Sequence, residues 1–136
     1  MTGAIDAMTI ELWMLFWSCV LSVVHLSASS FAYKGQVGNK YTVGPRDEHV
    51  APIGLAGRFV RAQQNFNETF PVFATLILMS HVLEANGWWS AWGAQVYFWA
   101  RLGYLPAYGM GLPWVRTFIW QVSMVGLIGV GADLFV

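Results

Sequence analysis

The chain has 136 residues, of which 57% are hydrophobic, 16% aromatic and only 10% charged, against roughly 25% charged residues in an ordinary soluble domain. Seven Lys and Arg balance seven Asp and Glu, which leaves no basic surplus to attract nucleic acid. The length suits one domain, the composition is that of a small integral membrane protein, and the single Cys19 excludes an internal disulfide framework.

A membrane-crossing helix needs about 20 mostly apolar residues. The run "TIELWMLFWSCVLSVVHLSASSFAY" meets that over residues 9–31. Asp6 is the only charge before it, so the positive flank of a cleaved signal is missing and the segment reads as a retained helix. Within it Cys19 reads as a small buried hydrophobe, Glu11 as a solvated interfacial group, and His25 as a buried histidine with a local hydrogen bond. Residues 34–57, rich in Gly, Pro and charge and without an apolar period, read as an ordered loop in water or headgroups. Its "GPRDE" reads as a turn followed by charges that lock the loop by ion pairing.

The next apolar run, "FPVFATLILMSHVL", is too short to span alone. Its helix therefore extends backward through "RFVRAQQNFNETFP" to cover 58–83, which puts polar residues at membrane depth. Pro71 marks the change from polar to apolar, where a kink can open a cleft. A third span covers 88–110 with Arg101 inside it, and a fourth covers 114–135. The fold class is thus all-α and integral to the membrane, a bundle of four transmembrane helices. All seven Lys and Arg lie in the long loop, at the start of the second helix, or near the third connection. The positive-inside rule then places that loop and that connection in the cytoplasm and both termini on the outer side. Trp13, Trp17, Trp88, Trp89 and Trp92 gather at the outer face as an aromatic belt. His25, His49 and His81 lack the spacing of a metal site, and no metal is expected.

Chemistry concentrates on two helix faces. At 100° per residue, Arg58, Arg61, Asn65 and Glu68 fall within an arc of roughly 80°, a polar stripe about 15 Å long. Tyr97, Arg101, Tyr104 and Tyr108 form a similar stripe on the third helix at the same depth. Charged groups at membrane depth are expensive unless paired or facing a wet cavity, and mark functional sites by default. Glu68 can pair with Arg61 or Arg101 and simply join helices. Yet Arg58, Arg61, Arg101 and Arg116 outnumber it, and the surplus calls for an anion. Guanidinium forks suit carboxylate or phosphate, Glu68 suits an ammonium and Asn65 a peptide group. A small zwitterion with extra carboxylates fits, as does an anionic lipid headgroup.

These residues carry a family resemblance. "RAQQNFNETFP", with Arg61, Asn65, Glu68 and Pro71, resembles the second-helix signature of the membrane-associated proteins in eicosanoid and glutathione metabolism, the MAPEG family. "GPRDE" and "QVYFWARLGYLPAYGMGLPWVRT" look most like its bacterial branch. The resemblance covers nearly the whole chain. It implies a homotrimer of four-helix bundles with glutathione bound between neighbouring subunits near the cytoplasmic face. It implies glutathione contacts for Arg61, Asn65, Glu68, Arg101, Tyr104 and Tyr108, with Arg58 on the same stripe. It also implies thiolate stabilisation by Arg116, whose spacing from Tyr108 differs by about one residue from the family's. Lys34 is the basic residue nearest the place where eukaryotic relatives hold a glutathione carboxylate with arginine.

The expected function is a glutathione-dependent transferase or peroxidase of the inner membrane, acting on an apolar electrophile or a lipid hydroperoxide. The alternative is a non-catalytic subunit, in which the same arginines hold a membrane lipid or a helix of a larger membrane complex.

Overall fold

The computed structural model describes residues 3–136. A short 3₁₀ turn over Ala4–Ala7 leads into four helices: α1 (Ile10–Val43), α2 (Gly54–Val82), α3 (Trp88–Gly109) and α4 (Pro113–Ala132). Thr9 caps α1 by accepting from the amide of Leu12 at 3.4 Å. Pro113 opens α4 at its first position, where the missing N–H costs no helical bond. Gly111, at φ 71°, supplies the left-handed residue that ends α3 and lets the amide of Leu112 bond back to Ala107.

The helices form two sequential pairs. α1 packs on α2, α3 packs on α4, α3 also meets α1 and α2, and α2 meets α4, while α1 and α4 are not neighbouring helices among the described residues. The core at the centre takes Met14 and Leu21 from α1, Phe66, Phe73 and Ile77 from α2, Ala94, Tyr97 and Phe98 from α3, and Val130 from α4. The α3–α4 pair is backbone against backbone. A Cβ built on Gly93 falls 2.5 Å from the carbonyl oxygen of Gly126 and the amide of Val130, so only glycine allows this approach. The Phe73 and Tyr97 rings stack at 4.0 Å and close the α2–α3 side.

Helices α1 and α4 are long and apolar enough to cross a membrane. α1 also departs from the expected loop over 34–57. It continues through Lys34 to Val43, broken only at Gly38, where φ 82° and ψ 166° interrupt the helical geometry. The connection to α2 is correspondingly shorter, and α2 itself begins at Gly54. Most residues of this extension are exposed, so it needs no apolar period, which is why the polar composition concealed it. Side chains of this extension hold the connection. The Tyr33 hydroxyl donates to the carbonyl of Val50, the amide of Val50 donates to the Tyr41 hydroxyl, and Gln36 brackets Ala51 and Ile53.

Four smaller expectations are corrected. Cys19 is exposed, because it lies on the outward face of α1. His25 is fully buried as expected, but neither ring nitrogen has a hydrogen-bond partner; the imidazole instead stacks on Phe66 at 4.7 Å. Glu11 is buried, not solvated, with 3% of its surface exposed. It accepts a 2.8 Å bond from the Ser90 hydroxyl, while Asp133 accepts from the Ser90 amide, so α1, α3 and α4 are tied together at one end. The charges of "GPRDE" do not pair. Arg46 turns back to the carbonyl of Thr42 at 3.1 and 2.6 Å and covers the end of α1.

Candidate functional site

The antiparallel run of α2 past α3 sets the register of the site. From one end inward, Arg58 Nε donates to the carbonyl of Gly109 at 2.9 Å, Arg61 Nε to the Tyr108 hydroxyl at 3.2 Å, and Arg101 to Asn65. Deeper still, the Thr69 and Tyr97 hydroxyls lie 3.0 Å apart. Each step on α2 meets a step on α3 because both helices repeat their polar residues at three and four positions. The two stripes therefore face one another, as a continuous ladder of hydrogen bonds.

Arg101 sits at the centre of that ladder with no exposed surface. One terminal nitrogen donates to Asn65 Oδ1 at 2.8 Å; the other donates to the Asn65 carbonyl at 3.2 Å and to the Thr69 hydroxyl at 2.5 Å. The rings of Tyr104, Tyr97 and Phe66 surround the guanidinium at 5.1, 5.7 and 5.9 Å. A buried cation is thus stabilised by neutral oxygen acceptors and aromatic faces. Neither Glu68 nor any other carboxylate among the described residues lies within 4.0 Å of a guanidinium or ammonium. Pairing of Glu68 with Arg61 or Arg101 is therefore not what joins the helices. Glu68 is exposed on α2.

Towards the mouth, Tyr104 and Tyr108 pack edge to face at 5.5 Å. The Tyr108 ring lies between two cations: Arg116 at 4.5 Å, from the first turns of α4, and Arg61 at 5.9 Å, from α2. Arg61 is exposed and Arg116 half-buried, so both forks retain donors that point to no protein carboxylate. Two unpaired guanidiniums over one tyrosine, with Arg58 a turn away, make a surface complementary to an anion.

The structure so brings together Arg58, Arg61, Asn65, Arg101, Tyr104, Tyr108 and Arg116. It leaves Lys34 apart, exposed on the α1 extension beside Tyr33, Thr42 and Arg46. Sequence reasoning missed Thr69, the hydroxyl that joins Arg101 to Tyr97. Its spacing of four from Asn65 and one from Glu68 was visible, but a threonine in a helix is more often there for its methyl group. It also missed Gln63, which accepts from the Ser29 hydroxyl and links α1 to the back of the site helix.

Comparison with curated proteins and with solved structures gives no match. The family model described as the MAPEG family matches residues 10–135. That match runs through all four helices and every residue of the ladder, and the chain belongs to the MAPEG family.

Proposed function

We propose that the chain is a glutathione-dependent transferase or peroxidase of the inner membrane, acting as a homotrimer on an apolar electrophile or a lipid hydroperoxide. The observation that carries this reading is the pair of guanidiniums, Arg61 and Arg116, that flank Tyr108 without an acidic partner. Glutathione fits what these residues leave open. Arg58 and Arg61 would hold carboxylates, exposed Glu68 an ammonium, and Asn65 a peptide group. Arg101 is spent on Asn65 and Thr69, so its part is to fix the Asn65 amide in one orientation.

The trimer is supported by the outer face of α2. Arg61, Gln64, Asn67 and Glu68 are all exposed in one copy, and hydrocarbon would not solvate them. A neighbouring copy would cover them, and in this reading Lys34 reaches the site only from such a neighbour. The excess of Lys and Arg near the α1–α2 and α3–α4 connections supports a cytoplasmic position for that end.

Glutathione supplies a thiol whose ionised form attacks a carbon electrophile, or whose oxidation in pairs to the disulfide reduces a hydroperoxide to alcohol and water. What the protein contributes is charge. A thiol has a reference pKa of about 8.5, and lowering it by about two units takes roughly 2.7 kcal/mol of preferential thiolate stabilisation. Arg116, over Tyr108 and half-buried, would provide a guanidinium for that purpose. Calorimetric titration of glutathione into nanodisc-embedded protein, with thiolate absorbance followed alongside, tests the reading. Saturable binding is expected, weakened by Arg61→Ala and Glu68→Ala, with the thiolate signal lost in Arg116→Ala. No binding at millimolar glutathione, with lipid tightly retained at the same arginines, refutes it in favour of a non-catalytic lipid-binding role.

A further inference from the structure

The "GPRDE" connection is built with more care than a tether between two helices needs. Three side chains of α1, Tyr33, Gln36 and Tyr41, satisfy backbone groups at Val50, Ala51 and Ile53. Two residues with side chains, Arg46 and His49, are held in the left-handed region at φ 60° and 48°. Such conformations persist only where surrounding contacts impose them, and they concentrate at binding sites.

What this construction creates is a recess of about 390 Å³ between the last turns of α1 and the start of the connection. Its lining includes Lys40 and Arg46 on the positive side and Asp47 and Glu48 on the negative side, with Tyr41 and Pro45 between. Four charged side chains, two of each sign, share one recess, yet none approaches an opposite charge within 4.0 Å. All four are exposed and solvated, so both signs are open to an incoming ligand. Arg46 also covers the carbonyl end of α1 at Thr42, so the negative pole of the helix dipole does not oppose an anion beside it.

We propose that this recess binds a zwitterion, with a phosphate between Lys40 and Arg46 and a primary ammonium between Asp47 and Glu48, the chemistry of phosphoethanolamine. The site lies on the α1 extension, past the apolar part of that helix. The source is therefore either the headgroup of phosphatidylethanolamine at the membrane surface or a free phosphoethanolamine compound in water. A primary ammonium has three N–H donors for the two carboxylates, whereas a choline group has none, so the site discriminates between those headgroups. This inference is independent of the glutathione reading, which concerns the facing stripes of α2 and α3 and the start of α4.

The test uses the full chain in nanodiscs of equal phosphatidylethanolamine, phosphatidylcholine and phosphatidylglycerol, with retained lipid identified by native mass spectrometry. Phosphorus NMR of free phosphoethanolamine titrated into the detergent-purified protein runs in parallel. Lys40→Gln and Asp47→Asn are the variants; both side chains are exposed, so the fold survives the change. Enrichment of phosphatidylethanolamine over phosphatidylcholine by about tenfold, lost in both variants, is the expected result, as removal of one charge-assisted hydrogen bond has that effect. Binding of free phosphoethanolamine without lipid selectivity, again lost in both variants, supports the site with a soluble source. Preference for phosphatidylglycerol sensitive only to Lys40→Gln overturns it in favour of a simple anion site. No selectivity and no binding, or selectivity that survives both variants, overturns it outright.

Discussion

Replacing Gly93 with alanine adds one methyl group at the place where α3 and α4 meet backbone to backbone. The new Cβ would stand 2.5 Å from the Gly126 oxygen and the Val130 nitrogen and 2.7 Å from the Gly129 carbonyl carbon, where ordinary contact begins at 3.4 Å. The deficit, 3.4 − 2.5, is 0.9 Å, and the atoms in the way belong to a helix backbone that no rotamer change can move. α3 and α4 must separate by about that distance, and forcing an extra carbon into such a contact costs about 1–3 kcal/mol. Gly103 provides the control on the same helix. A Cβ there meets nothing within 4 Å, so Gly103→Ala gains the roughly 0.5–1 kcal/mol that alanine holds over glycine in a helix. The two variants should therefore differ by about 1.5–4 kcal/mol, with opposite signs relative to the parent. Unfolding by denaturing detergent, followed by circular dichroism in lipid micelles, measures both. A Gly93→Ala protein as stable as the parent would show that the glycine contact does not set the helix spacing.

The hydrogen-bond ladder yields further expectations. Arg101→Lys keeps the charge but cannot bond Asn65 and Thr69 together; it should cost about 1–3 kcal/mol in the same unfolding assay and weaken glutathione binding through the released Asn65. Tyr108→Phe removes the acceptor for Arg61 while keeping the ring under Arg116. Stability should fall by only about 0.5–1.5 kcal/mol, and glutathione affinity, read by calorimetry, should fall while the thiolate absorbance per bound ligand is kept. Glu11→Ala takes the acceptor from the Ser90 hydroxyl, which retains the Gly87 carbonyl at 3.1 Å. A loss of about 1–2 kcal/mol is expected in unfolding, with glutathione binding unchanged, since this tie lies at the other end of the bundle.

The two facing stripes were legible in the sequence because their residues recur at spacings of three and four, and a helix turns that regularity directly into a face. The partners of Arg101 were half legible. Asn65 and Tyr97 belonged to the expected stripes, whereas Thr69 joins Arg101 to Tyr97 through a hydroxyl whose role depends on how α2 and α3 dock. Glu11 could not be read at all, because the serine that satisfies it is 79 positions away and nothing local distinguishes it from a solvated glutamate. The extension of α1 was hidden for a different reason. Gly35, Gly38 and Asn39 are breakers by composition, and only one of them, Gly38, actually breaks the helix. Tyr33, Gln36 and Tyr41 keep the rest in place by holding the connection that follows.

The arginine cradle also bears on the order in which the chain enters the bilayer. A lone guanidinium at the centre of a membrane helix costs about 2.5–3.5 kcal/mol on insertion. Asn65 and Thr69 belong to α2, which precedes α3 in the chain, so synthesis delivers the acceptors before the cation that needs them. Arg101 enters a membrane that already holds its oxygen partners. A circular permutant that places α3 and α4 ahead of α2 would reverse that sequence of arrivals, and its insertion efficiency should fall below that of the parent and recover when Arg101 is replaced by leucine.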